Sequence, residues 1–222
     1  MMDMPLVHFE GQIEVIDSLA DVRRAVRLLH RQQAVGIDTE TRPSFVPEIT
    51  YQVALLQVST LDICFLFRLN RLGMPDEIRE FLGDESCTKV GLSLNDDIRS
   101  LHGRADFQMK NYVELQQEVA KIGVQDRSLQ KLYANLFHHR ISKRQQLSNW
   151  EARELTEAQK RYAATDAWAC LRIYHCLESF KKNHDYKINL PFSADNLLDR
   201  VVGDMTKTVG KSEQREKVKL DV

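Results

Sequence analysis

No stretch of this sequence stays apolar long enough to suggest a membrane span. Runs such as Val53-Ala54-Leu55-Leu56 stop far short of the ~20 residues a spanning helix needs. The start, Met1-Met2-Asp3-Met4-Pro5, lacks a basic region followed by an apolar one, so no signal peptide is expected. The four cysteines (Cys64, Cys87, Cys170, Cys176) form no CxxC pair and no zinc-ligand spacing, and they are too few for a disulfide scaffold. A reducing cytoplasm is therefore the expected location. Charge of one sign is also missing. A net charge of −1 excludes a polybasic binder, so any nucleic-acid partner must be held by a local site. Internal repeats and low-complexity runs are absent. What remains is 43% hydrophobic and 28% charged, a balance that excludes wholesale disorder and fits a soluble globular chain. A length of 222 residues suits one domain, or one domain with a tail.

The pattern along the chain predicts an α/β fold. Strand-like residues lie around Val7-His8-Phe9 and Ile13-Glu14-Val15-Ile16. Asp17-Ser18 can cap an amphipathic helix with Val22, Ala25, Val26, Leu28 and Leu29 at helical spacing. Ala34 to Asp38 reads as a buried strand, and a proline-bearing loop from Thr41 to Thr50 follows. Val53 to Val58 and Ile63 to Leu69 flank Ser59-Thr60-Leu61-Asp62 as a hairpin. Helix is predicted for Pro75 to Leu82, strand for Thr88 to Leu92, helix for Asp96 to His102, and a short strand for Phe107 to Lys110. Helices are then expected at Val113 to Ile122, Leu129 to Phe137, and Glu157 to about Phe180. A hairpin, β-α-β-α units and then helices imply one mixed sheet flanked by helices. The chain turns polar beyond Asn183. Leu190-Pro191-Phe192 and Leu197-Leu198 can anchor part of it, and Lys207 to Val222 reads as a solvated or disordered tail.

Three places carry carboxylates worth chemical scrutiny. Asp38 and Glu40 in Gly36-Ile37-Asp38-Thr39-Glu40 sit two apart at a strand's end, and alternation sends both side chains to one face. Such a pair repels itself unless a cation intervenes or one member is protonated; taken alone, it reads as a solvated strand exit. Tyr162 and Asp166 are one helical turn apart among Ala163, Ala164, Ala167 and Ala169. Small alanines let a helix lie close to a sheet, where an aspartate is costly to bury without a partner. A solvent-facing Asp166 beside Lys160, Arg161 and Arg172 is the equal alternative. In Lys89-Val90-Gly91-Leu92-Ser93-Leu94-Asn95-Asp96-Asp97 a strand runs into a helix. There Asp96 suits a capping role, whereas Asp97 lies nearer the buried side and is the candidate for chemistry.

Taken in order, these motifs resemble the tyrosine-bearing branch of the DEDD exonuclease superfamily. The resemblance extends to Val53-Ala54-Leu55-Leu56-Gln57-Val58, to Ser148-Asn149-Trp150, and to Leu155-Thr156-Glu157-Ala158-Gln159-Lys160 leading into Tyr162 and Asp166. It covers about residues 10–180 and is nearest to ribonuclease D and Werner-type exonuclease domains. It implies a ribonuclease H-like mixed sheet of five or six strands in an exonuclease domain over residues 1–184, with a C-terminal extension over 185–222. It also implies a 3′→5′ exonuclease acting on single-stranded 3′ ends of DNA or RNA. Asp38, Glu40, Asp97 and Asp166 would hold Mg²⁺ or Mn²⁺, hard ions suited to oxygen donors, as two ions about 3.5–4 Å apart. By the same resemblance, Asp38 bridges both ions, Glu40 and Asp166 complete the first, and Asp97 supports the second through water. Tyr162 would orient the attacking water.

Thr39, Thr41 and Ser93 are candidate contacts to the terminal nucleotide, although a threonine or serine there needs no function. Lys143 and Arg144, in the basic stretch from His138, can meet a phosphate backbone, or simply form a solvated helix end. Trp150, Trp168, Cys170 and Cys176 read as packing residues. The chain is expected to lack both the extra helical domains of ribonuclease D and a helicase motor. Processivity would then fall to the core, to self-association or to a protein partner. A catalytically silent nucleic-acid-binding or scaffold protein on this fold is the rival reading, and an endonuclease a third.

Overall fold

The computed structural model describes residues 4–182. Strands β1 (Leu6–Val7) and β2 (Gln12–Ile16) lead into helix α1 (Leu19–Leu29). Ser18 caps that helix, its hydroxyl accepting the Asp21 N–H at 3.2 Å. Val22, Ala25, Val26 and Leu29 turn inward, while Leu28 sits on the exposed flank of that stripe. Strand β3 (Ala34–Thr41) follows, then β4 (Val53–Ser59) and β5 (Ile63–Phe67). A short turn of helix α2 (Leu69–Leu72) and helix α3 (Asp76–Gly83) precede β6 (Thr88–Gly91) and α4 (Leu94–Leu101). Strand β7 (Tyr112–Glu114), helices α5 (Leu115–Lys121) and α6 (Leu129–Phe137), strand β8 (Arg140–Ile141) and the long helix α7 (Glu157–Lys182) complete the described chain.

Among the described residues, six strands form one sheet in the order β2-β5-β4-β3-β6-β7, and β1 and β8 form a separate parallel pair. The large sheet is mixed. β3 runs antiparallel to β4 and parallel to β6, and β4 and β5 are the expected hairpin. Helices α1, α3 and α4 cover one face, packing on Val35, Ile37, Val58, Phe65 and Phe67. The other face meets α7 through Ala163 and Ala164 against Leu55, Cys64 and Leu66. With a helix layer on both sides, β4 is buried at every position, which explains its unbroken apolar run. Gly36 is where α7 crosses β3. A Cβ there would stand 1.8 Å from the Ala167 carbonyl oxygen, so only glycine permits the approach.

Some element boundaries differ from those expected of the sequence. β3 does not end at Asp38 but continues through Thr41, because β4 pairs with it along that length. Phe107 to Lys110 is not a strand. Phe107 and Met109 pack into the core under α3, the Lys110 N–H donates to the Leu82 carbonyl at 3.1 Å, and Asn111 turns the chain with φ 46°. Pairing with β6 begins only at Tyr112. The next helix accordingly starts at Leu115 rather than Val113. Its N-terminus is capped by the Glu114 carboxylate, which accepts the Gln116 N–H at 3.1 Å. All four cysteines are free thiols, and no described helix is long and apolar enough to cross a membrane. The expected extension from residue 185 lies outside the described residues.

Candidate active site

Asp38 and Glu40 project from the second half of β3 toward α7, as strand alternation requires. A register shift between Glu40 and Thr41 bends the strand just beyond them, as bulges do beside working sites. Asp166 reaches the same place from α7. One carboxylate oxygen from each of Asp38, Glu40 and Asp166 lies within 4.8 Å of the others. Glu40 and Asp166 are buried, so the solvent-facing alternative for Asp166 does not hold. Its Oδ1 is enclosed without a hydrogen-bond partner. Buried, crowded and incompletely bonded oxygens with no nitrogen or sulfur among them form a donor set that fits a hard divalent cation.

The helix that carries Asp166 is firmly seated. Thr156 and Gln159 form a reciprocal cap: the Gln159 N–H donates to Thr156 Oγ1 at 3.2 Å, and the Thr156 N–H donates to Gln159 Oε1 at 3.0 Å. Gln159 Nε2 also donates to the Asn149 carbonyl at 3.2 Å. Trp150, wholly buried, tilts against the Tyr162 ring with centroids 6.0 Å apart. The ring of Tyr162 is thereby fixed one turn before Asp166. Trp150 is a core residue, as expected, and Trp168 packs beside Phe9 and Tyr133.

Asp97 is not among the three carboxylates that meet within 4.8 Å, yet its charge acts on Asp38 and Glu40. It accepts a hydrogen bond from Thr39 Oγ1 at 2.5 Å, which ties α4 to β3. Helix α4 begins at Leu94, not Asp96, and its N-cap is Ser93 in the left-handed region at φ 62°. Asp96 is therefore no cap. It is exposed and pairs with Arg99 at 3.2 Å. Ser93 is locked from behind. Its N–H donates to Glu114 Oε1 at 2.9 Å, and its hydroxyl accepts from Gln116 Nε2 at 3.0 Å. Glu114 is a buried carboxylate that sequence reasoning passed over inside a supposed helix. An acidic residue amid Tyr112, Val113 and Leu115 was the available signal.

Electrostatics sharpen the picture. Burial pushes Glu40 up to about 9, with the neighbouring Asp166 and Asp97 adding to it. Burial likewise raises Asp38 well above the carboxylate range, reinforced by Asp97, Glu40 and Asp166. Asp97 is lifted to about 7 by burial, against the Thr39 hydrogen bond. Asp166 also rises to about 7 by burial, opposed by hydrogen bonding from Tyr162 and by the Lys143 charge. Four carboxyls that resist ionisation together invite a cation to replace their protons. Burial, then Asp166 and Glu40, raise the Tyr162 phenol far above its usual value, so it is a neutral hydroxyl.

The remaining candidates divide. Thr39 bonds to Asp97 and serves the site from within. Thr41 lies at the end of β3 past the register shift, and Ser93 shapes the α4 turn. Lys143 and Arg144 are exposed, in the segment after β8. Lys143 is near enough to Asp166 to bias its charge; Arg144 has its N–H on Ser142 Oγ at 3.2 Å. Not anticipated is a bridge between the loop after β3 and the segment before α7: Arg42 pairs with Glu151 at 3.4 Å and stacks over Tyr51 at 4.7 Å.

Residues 13–180 match the family described as 3′-5′ exonuclease. Over 186 residues the chain is 32% identical to the mouse bifunctional 3′-5′ exonuclease/ATP-dependent helicase WRN, covering 79% of this chain and 13% of that protein. It thus spans a small part of that relative. In three dimensions it is similar to the Aedes aegypti Nibbler EXO domain, with a TM-score of 0.71 at 19% identity over 86% of this chain and 95% of that one. Trypanosoma brucei RNase D in complex with RNA U12 aligns with a TM-score of 0.65 at 18% identity, over 83% of this chain and 74% of that one. The family match, the mixed sheet and the clustered carboxylates agree: the chain belongs to the DEDD-superfamily 3′-5′ exonucleases, with the Werner-type domain among its relatives.

Proposed function

We propose that this chain is a divalent-metal-dependent 3′→5′ exonuclease of the tyrosine branch, removing nucleotides from single-stranded 3′ ends of DNA or RNA. The observation that carries the reading is the meeting of Asp38, Glu40 and Asp166 within 4.8 Å, with neutral Tyr162 beside them. Asp38, Glu40 and Asp166 would hold Mg²⁺ or Mn²⁺, with Asp97 supporting a second ion from its Thr39-tethered position. Such ions, when bound, activate water and stabilise the leaving oxygen.

The chain's own groups have separable tasks. Tyr162 cannot act as a base at neutral pH, because its phenol holds its proton far above the usual range. It can donate or accept a hydrogen bond that orients the water attacking phosphorus. The bond from phosphorus to the preceding nucleotide's 3′ oxygen breaks, and that oxygen gains a proton as the terminal nucleotide leaves. Lys143, exposed near Asp166, can pair with an incoming phosphate. Arg144, Thr41 and Ser93 would contact the strand that it binds, and Thr39 keeps Asp97 in place.

Retention of all four carboxylates and the tyrosine argues against a silent scaffold. Free thiols suit a reducing compartment, and the cytoplasm is the location we assign. Substrate choice would rest on the core together with self-association or a protein partner. The test is digestion of 5′-labelled linear and internally labelled circular single strands, DNA and RNA in parallel. Stepwise shortening of the linear strands with Mg²⁺, its loss in chelator, and intact circles are expected. Cut circles would replace the exonuclease with an endonuclease, and full turnover in chelator would end the metal reading.

A further inference from the structure

A polar side chain lies beside the carboxylates with nothing to bond to. Gln57 stands on β4 directly opposite Asp38. It is 0% exposed, and neither its Nε2 nor its Oε1 has a hydrogen-bond partner. Opposed residues on antiparallel strands project to the same face, with Cβ atoms ~4.5–5.5 Å apart. The Gln57 amide and the Asp38 carboxyl therefore share the layer between the sheet and α7. On its other side Gln57 faces Leu66 across β5, and α7 offers that layer Ala163, Ala164 and Ala167. These neighbours have no side-chain polar atoms. A buried amide left unpaired costs its full desolvation with no return, and a leucine or methionine beside Leu66 would avoid that cost. Asp38, within a glutamine's reach in register, is the acceptor that gives the amide a purpose.

We propose that Gln57 is a positioning residue for Asp38: with a divalent cation bound among Asp38, Glu40 and Asp166, its Nε2, unbonded in the metal-free protein, would donate to one Asp38 carboxylate oxygen and turn the other toward the cation. The inference rests on the cation site proposed above and deepens it. Partners that orient a ligating carboxylate typically govern metal affinity or activity 10–100-fold.

The test is Gln57→Leu in the full chain, with Asp38→Asn as a control and three measurements. These are the melting temperature in chelator, Mn²⁺ binding by calorimetry, and the separate kcat and KM for a labelled oligonucleotide. Positioning predicts an unchanged or higher melting temperature in chelator, since the Gln57 amide bonds nothing in the metal-free protein. It also predicts Mn²⁺ affinity and kcat each lowered about 10–100-fold, with KM for the oligonucleotide unchanged. Wild-type Mn²⁺ affinity in Gln57→Leu overturns the proposal. So does a lower melting temperature in chelator with affinity intact, which would mean that the amide bonds an internal water for structure. Should Gln57→Leu fail to fold, Gln57→Met fills the same length with a flexible chain, and its failure to fold would likewise make the residue structural. Asp38→Asn keeps the two levels apart. If the wild type and Asp38→Asn bind Mn²⁺ equally, the cation site itself is wrong. If only Gln57→Leu matches the wild type, the site stands and Gln57 has no part in it.

Discussion

Raising the pH should weaken the metal-free protein and enlarge what Mg²⁺ does for its stability. Burial moves Asp166 and Asp97 from 3.8 to about 7 and Glu40 from 4.5 to about 9. A carboxyl with a raised folded pKa keeps its proton in the fold after the unfolded chain has released it. Its contribution is complete below the unfolded value and is lost as the pH climbs through the folded one. The window thus opens near 4 and closes near 7 for the aspartates, extending toward 9 for Glu40. Each pKa unit is worth about 1.4 kcal/mol, so moving Asp166 from 3.8 to about 7 amounts to roughly 4 kcal/mol. The carboxyls share one field and lose their protons as a set, so that figure scales one substitution and is not multiplied by their number. At about 2–4 °C per kcal/mol for a chain of this size, a fall on the order of 10 °C is expected.

The assay is thermal melting in chelator at about pH 5 and about pH 8, repeated with Mg²⁺. In chelator the melting point should drop between the two. Mg²⁺ should restore most of the loss at the higher pH and do little at the lower, because the cation must displace protons. Asp166→Asn should flatten the dependence and melt above the wild type in chelator at the higher pH. Asp84 has the opposite sign: the Ser86 N–H and hydroxyl, then His30, hold it down to about 2. Its contribution is lost only below its ordinary 3.8, outside the window. A melting point that stays level or rises from pH 5 to pH 8 in chelator would refute the reasoning, as would equal help from Mg²⁺ at both.

Other perturbations separate residues that stand close together. Asp97→Asn should abolish cleavage with little loss of stability, whereas Asp96→Asn should leave rates intact, because the exposed Asp96–Arg99 pair is worth only about 0–1 kcal/mol; equal rates for both variants would remove Asp97 from the site. Gly36→Ala places a Cβ 1.8 Å from the Ala167 carbonyl oxygen and should cost about 1–3 kcal/mol or more, read by urea unfolding, with cleavage falling in parallel as α7 is displaced. Tyr162→Phe keeps the ring against Trp150 and deletes only the hydroxyl, so turnover should fall by ~10²–10⁴-fold with Mn²⁺ and oligonucleotide affinity little changed; wild-type turnover would make Tyr162 a packing residue.

How much of this could be read from the chain depended on the range of the interaction. Alternation along β3 was enough to put Asp38 and Glu40 on one face, and one helical turn was enough to pair Tyr162 with Asp166. Both are local geometry. Whether Asp166 met solvent or the sheet was a question about another element, and Gly36 answers it: α7 is in contact with β3 because Gly36 lacks a side chain. The strand at Tyr112–Glu114 was misplaced because Phe107 and Met109 are apolar for a different reason, packing under α3 rather than pairing in the sheet. Glu114 was lost with it, since its bond to the Ser93 N–H exists only once β7 lies beside β6. Asp96 looked like a cap because the helix was begun two residues late.

The same geometry explains why a site so costly to bury can be kept in place. The carboxylates contribute little to their own support; the bonds that fix them lie behind them. Arg68, almost fully buried, donates to the Ala152 carbonyl, and Arg71 donates to the Arg153 carbonyl while pairing with Asp17 at 2.7 Å. These contacts fasten the loop before α7 to the end of β5 and to α2. That loop supplies Trp150 to Tyr162 and the Asn149 carbonyl to Gln159, and the first turn of α7 is held by its own reciprocal cap. At the other end of the site, Glu114 and Gln116 hold Ser93, and Thr39 holds Asp97. Backbone carbonyls, caps and aromatic packing are insensitive to whether a cation is bound, so the ligands stay close together even when their charges oppose it. A rigid frame of that kind lets the protons on Asp38, Glu40 and Asp166 be exchanged for a cation without the strand and helix having to find each other again, which is the preorganisation that a hydrolytic site of this chemistry requires.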